Sequence, residues 1–155
     1  MRYALLALLL AVPAASAAGR PPGCTGTQSS WPAGGGRRLV ETQCALGASQ
    51  GTSMLHLVGP GARRVGPLAL VTYRDPRSGR PRVVRETVVL GTLAFSKGTL
   101  TVLDKFRGIG DCGIYSVFRL ARSRFVPVEA RAKTACDGKS GGGPTRWPRL
   151  PTPAP

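Results

Sequence analysis

Asparagine is absent from this 155-residue chain, histidine occurs once, and 7 acidic residues face 22 basic ones. Each scarcity excludes a class of chemistry. A Ser-His-Asp hydrolase needs a base beside its nucleophile, usually histidine. His56 sits in Ser53-Met54-Leu55-His56-Leu57-Val58, an apolar strand pattern, and reads as a packed strand residue. No Gly-x-Ser-x-Gly elbow surrounds Ser49 or Ser53. The four cysteines show no C-x-x-C pair, which removes the usual spacing of zinc ligands and of redox dithiols. Paired carboxylates for glycoside hydrolysis would have to come from Glu86, Asp104, Asp111 and Glu129. With arginines so abundant, ion pairing is the simpler role for these acids, and Asp111 reads as the cap of a glycine turn. The expectation is a protein that is not an enzyme, with no catalytic residue, no metal and no cofactor.

The N-terminus reads as a secretory signal. Arg2 supplies the charge, Leu5 to Val12 the short apolar run, and Ala15-Ser16-Ala17 the cleavage site, so residues 1–17 are expected to be removed. Pro13 and the small-residue site argue against a retained anchor. Pro21-Pro22-Gly23 before Cys24 lacks the leucine of a lipobox. No later apolar run has spanning length. The expected location is the periplasm or the medium, with no transmembrane segment left. In an oxidising compartment an even number of cysteines favours disulfides. Cys24, Cys44, Cys112 and Cys136 allow three pairings, of which the sequence-local one, Cys24–Cys44 with Cys112–Cys136, is expected.

The formal charge of +15 falls to +14 once Arg2 leaves with the signal. Two readings compete. Arg, Gly, Pro and Ala are what a GC-rich genome favours, so the charge is compositional. Coding bias explains arginine in place of lysine, but not the shortage of acids, and an affinity for polyanions explains that. Arg63, Arg64, Arg74, Arg77, Arg80, Arg82 and Arg85 cluster in the middle third. Arg119, Arg122, Arg124 and Arg131 cluster near the last hairpin and are the candidate anion-binding residues. Phosphate or carboxylate groups of envelope polymers would suit them. Nucleic acid is disfavoured, because few aromatics interleave the arginines and the chain is read as exported.

Residues 18–38, rich in Gly, Pro, Ser and Arg, read as a flexible leader. From Leu39 short β-type runs follow: Leu39–Cys44, Ser53–Val58, Pro67–Tyr73, Arg82–Leu90, Thr99–Phe106, Ile114–Leu120 and Phe125–Arg131. Asp75-Pro76-Arg77-Ser78-Gly79 and Ser96-Lys97-Gly98 read as turns. A last turn at Ala121–Ser123 would pair the final two runs and bring Cys112 near Cys136. Val126, Val128 and Ala130 alternate with Phe125, Pro127 and Glu129. There is no internal repeat and no sustained helical period. The expected fold is all-β over 39–150, a small antiparallel sandwich or barrel-like domain with disulfides. Trp147 should pack back on it, and 151–155 should form a disordered Pro-rich tail.

Gly108-Ile109-Gly110-Asp111-Cys112-Gly113, followed at fitting distances by Phe125, Arg131, Cys136 and Trp147-Pro148, resembles the signature of a bacterial envelope family called domain of unknown function 1176. Its Gly-x-Gly-x-x-Gly spacing precedes a strand, so no helix N-terminus is there to hold a phosphate. Thr42 to Ser49 is similar to that family's cysteine and small-residue turn. The likeness spans about Glu41 to Leu150 and corresponds to the C-terminal half of the family. Ser49 and Leu120 to Ser123 depart from its pattern. The resemblance implies an exported, disulfide-linked domain and no catalytic residues. The functional expectation is an exported, non-catalytic envelope domain that engages an anionic envelope polymer or acidic protein. An inhibitor or accessory subunit of an acidic envelope protein is the alternative, and a cell-wall hydrolase the weakest reading.

Overall fold

A computed structural model describes residues 24, 26–74, 81–139 and 141–155. The segment read as a signal and the turn expected at Asp75–Gly79 lie outside these residues. Twelve strands build the molecule: β1 Gln28–Gly34, β2 Arg37–Leu46, β3 Gly51–Val58, β4 Arg64–Val65, β5 Leu70–Arg74, β6 Arg82–Glu86, β7 Val88–Leu90, β8 Thr92–Ser96, β9 Thr99–Lys105, β10 Gly113–Ala121, β11 Arg124–Lys133 and β12 Arg149–Leu150. All strand pairs are antiparallel. One sheet runs β1-β2-β3-β4, with β7 also on β3. A second runs β12-β11-β10-β9-β8, and β5–β6 is a separate hairpin. The expected all-β, antiparallel, disulfide-linked fold is what the chain adopts.

Alternation places the core. Leu39 and Leu55 from the first sheet meet Leu100, Val102 and Phe118 from the second, with Leu70 of β5 joining them. Aromatic edges fasten this layer. Phe95 meets Phe125 at 6.3 Å and 80°, and Phe118 meets Phe125 at 6.4 Å. Such pairs add about 0.5–1.5 kcal/mol to the area they bury. A smaller cluster of Tyr73, Ile114, Ala130 and Ala132 seals the other end.

The β10–β11 hairpin departs from strict alternation. Val117 faces Glu129 and Phe118 faces Pro127, so Val128 is an extra residue in a bulge. Phe125, Pro127, Ala130 and Ala132 therefore point inward, while Val128 is 46 % exposed. The bulge resets the period of two, and an uninterrupted alternation assigns the wrong face to half of the strand. The Lys97–Gly98 turn forms as expected, with φ of 48° and 76°. Two positive φ values match the twist of a two-residue hairpin.

Three boundaries differ from the sequence reading. The stretch read as a flexible leader contains β1 and the first residues of β2, paired from Gln28↔Thr42 onward. Trp31 packs on Phe95 at 6.3 Å and ties β1 to the core. The run Arg82–Leu90 divides at residue 87, because β6 pairs with β5 and β7 with β3. The tail read as disordered is placed: Tyr73 Oη donates to the Pro151 carbonyl at 2.8 Å and Pro153 is buried. Trp147 packs as expected, 2 % exposed. Among the described residues no helix is long and apolar enough to cross a membrane.

Candidate anion-binding site

Cys24 bonds to Cys44 and Cys112 to Cys136, which are the two local pairs. The second bridge anchors the Gly108–Gly113 motif at one end of the sandwich. Asp111, 3 % exposed, accepts both Nε (2.8 Å) and Nη2 (2.6 Å) of Arg107. It also accepts the Gly138 amide at 2.7 Å. Asp111 therefore does more than cap its own turn, since it fastens that turn to the loop after Cys136. The Arg107 guanidinium, aided by the Gly138 amide, holds its carboxyl far below the usual carboxylate range. Gly113 has φ of 154°, and a Cβ there would collide with the Asp104 carbonyl, so the motif's last glycine is sterically required.

Beside this loop lies a polar network beneath the β5–β6 hairpin. Arg74 donates to Glu86 at 2.6 Å and to Asp104 at 2.9 Å, and Gln50 donates to Asp104 at 2.8 Å. Burial pushes the Asp104 carboxyl up, against the pull of Gln50 and Arg74. Thr72 and Ser116 hydroxyls meet at 3.0 Å in the same layer. The space these groups enclose is only about 10 Å³, so they form a structural clasp that holds the hairpin to the second sheet.

The acids are consumed by such contacts. Among the described residues Glu41 accepts the Ser53 hydroxyl, Glu86 and Asp104 hold Arg74, and Asp111 holds Arg107. Glu129 holds Arg131 and Asp137 holds Lys133. Arg131 also donates Nη1 to the Trp147 carbonyl at 2.9 Å. Arg131 is thus removed from the candidate anion-binding set, because its guanidinium is spent clamping the tail. Arg74, expected in the middle cluster, is likewise committed to the internal clasp. Arg77 and Arg80 lie outside the described residues.

The opposite end of the sandwich is built differently. There the β10–β11 turn at Arg122–Ser123 meets the β1–β2 turn and the segment around β4. Arg122 adopts φ of 58°, and its carbonyl accepts Arg37 Nη1 at 2.5 Å, which locks the two turns together. The Pro60–Ala62 turn, closed by the Gly59 amide on the Arg63 carbonyl at 2.8 Å, carries Arg63. Three hollows share Ser123 at this end. One of about 270 Å³ is lined by Arg37 and Arg63, one of about 370 Å³ by Arg122 and Arg124, and one of about 510 Å³ by Arg85 and Arg124. Among the described residues no Asp or Glu side chain lines any of them. Of the candidate residues, Arg122 lines one of these hollows and Arg124 two. Arg37, Arg63 and Arg85 join them from β2, the Pro60–Ala62 turn and β6. Arg119 is exposed on β10 but borders none of the three hollows. Arg37 had no sequence signal, because it lay in the segment read as leader.

His56 lies behind this end, 4 % exposed on β3. It is a core histidine, as its strand pattern suggests. Burial, reinforced by the nearby Arg64 charge, pulls its pKa below the ordinary 6.5. Gly66 passes so close that a Cβ would stand 3.0 Å from His56 Cδ2.

Fold and disulfides define a compactly tied antiparallel β-sandwich of sheets with one arginine-rich end. Residues 14–153 match the family model described as protein of unknown function DUF1176, and the chain belongs to that family. The match is wider than Glu41–Leu150 and takes in β1 and the N-terminal half of β2. Neither the curated proteins nor the solved structures contain a match.

Proposed function

We propose that the protein is an exported, non-catalytic module of the cell envelope that holds an anionic partner at its arginine-rich end. The observation that supports this most is the segregation of charge. Arg37, Arg63, Arg85, Arg122 and Arg124 gather around Ser123 from four parts of the chain, with no Asp or Glu side chain among the described residues lining the hollows between them. Compositional drift would scatter arginines rather than gather five of them around hollows that no described Asp or Glu side chain lines. Guanidinium groups grip phosphate and carboxylate in bidentate fashion, which makes the partner an oxyanion-bearing molecule or polymer. The location rests on the signal-like N-terminus and on the two disulfides, which persist in oxidising compartments. The non-catalytic reading rests on His56, the one histidine, being packed in the core.

Chemical-shift mapping with inorganic polyphosphate tests the reading. Perturbations should centre on residues 37, 63, 85, 122 and 124 and should vanish at a few hundred millimolar salt. Perturbations spread evenly over all arginines, or centred on Arg146 and Arg149, would contradict it.

A further inference from the structure

The largest of the three hollows combines apolar residues with two arginines. Pro67, Leu68 and Val71, on and before β5, line it together with Phe125, Pro155, Arg85 and Arg124. Its volume, about 510 Å³, falls within the roughly 300–1,000 Å³ typical of small-molecule sites. Gly66 lets this apolar lining lie directly against β3, and the Leu68 amide is held by the Leu55 carbonyl at 2.8 Å. Among the described residues no carboxylate pairs with Arg85 or Arg124. A site meant only for a hydrated polyanion has no use for such a lining, because burying apolar surface is what the lining is suited to.

We infer that this groove binds a small amphiphilic anion. Arg85 and Arg124 take its phosphate or carboxylate head, and Pro67, Leu68, Val71 and Phe125 take its apolar body. This rests on the anion-binding reading above and narrows it, in one groove, from any oxyanion to one that carries an apolar chain.

Calorimetric titration of the whole protein with n-octyl phosphate, below its micelle concentration, tests the inference. Inorganic phosphate, n-butyl phosphate and octyl glucoside serve as controls. Two buried methylenes suffice for roughly a tenfold gain, so octyl phosphate should bind at least about tenfold tighter than inorganic phosphate, with butyl phosphate between them. The neutral-headed glucoside should bind at least about tenfold more weakly than octyl phosphate. Arg85→Gln and Arg124→Gln, both at exposed positions, should each weaken octyl phosphate by several-fold. Ala69→Phe, at a small residue that also lines this groove, should remove the dependence on chain length. The chain-length series in the wild type tests the apolar lining even if that variant does not fold. Equal affinity for octyl and inorganic phosphate would overturn the groove assignment. So would binding to phosphatidylglycerol vesicles without binding to the monomeric amphiphile. If polyphosphate binds and octyl phosphate does not, this inference fails and the proposed function stands. If neither binds, both fail.

Discussion

At the scale of single residues, Asp111 and His56 show how far one side chain's meaning depends on what folds against it. Asp111 lies in a glycine-rich turn, and a capping role follows from its type and setting. That it also receives the Gly138 amide could not be read from local pattern, because the partner lies 27 residues away. Asp111→Asn keeps the size and removes the charge that Arg107 grips. We expect a lower melting temperature and, in hydrogen exchange, faster exchange at the Gly138 amide; unchanged protection there would show that the carboxylate does not hold the loop. His56 makes a prediction with a defined sign. Its pKa is lowered in the folded state, so the unfolded chain binds its proton first as pH falls. Stability should therefore be unaffected by His56 above about pH 6.5 and should decline as pH drops below it. No other side chain in the molecule titrates near neutrality by its ordinary value. Urea unfolding at pH 7.5 and pH 5.5 should show a loss for the wild type and a smaller one for His56→Gln. A wild type equally stable at both values would contradict the buried, neutral assignment.

At the scale of elements, the strands that the sequence revealed are those with clean alternation and a turn at each end, such as β3, β9 and β10. The ones it hid had a physical reason. β1 is a sheet edge whose exposed residues are Gln, Ser, Pro and Gly, so its composition matches that of a loop, and only Trp31 and Ala33 reach the core. β8 is five residues of mixed type squeezed between two turns. The bulge at Val128 cannot be inferred from periodicity, since it is the place where periodicity breaks. The C-terminal segment was half visible. Trp147 announces a buried anchor, but the capture of its carbonyl by Arg131 and of Pro151 by Tyr73 depends on strands far away in the chain. Trp147→Ala should cost about 3–5 kcal/mol, as measured by urea unfolding, because a fully buried indole leaves a cavity that the tail cannot collapse into. A loss below about 1 kcal/mol would mean that the tail is not part of the folded unit. Gly113→Ala is the matching test for the motif loop. The alanine Cβ has no room against the Asp104 carbonyl, so this variant should unfold at clearly lower urea than the wild type. An alanine variant of wild-type stability would contradict the packing described for that strand.

At the scale of the whole molecule, charge is the property whose placement the fold decides. The excess of arginine over acid is written in the composition, but its distribution is not. Five of the six described acids are drawn into ion pairs, while the arginines around Ser123 are left facing one another. The sequence reading found Arg122 and Arg124 because they flank a hairpin turn. It included Arg131 because it is near them in the chain, although seven residues along β11, roughly 24 Å at about 3.4 Å per residue, separate it from Arg124. It missed Arg37, because convergence from the β1–β2 turn requires knowing that two sheets end side by side.

The arginine-rich end is the central claim, and paired charge reversals test it. One variant carries Arg63→Glu, Arg122→Glu and Arg124→Glu; the other carries Lys139→Glu, Arg146→Glu and Arg149→Glu, exposed positions that line none of the three hollows. Both have the same net charge. Polyphosphate affinity at low salt should fall by at least about a hundredfold in the first and by only a few-fold in the second, with both still folded. Equal losses in the two variants would show that net charge alone governs binding, and the claim of a built anion site would be wrong.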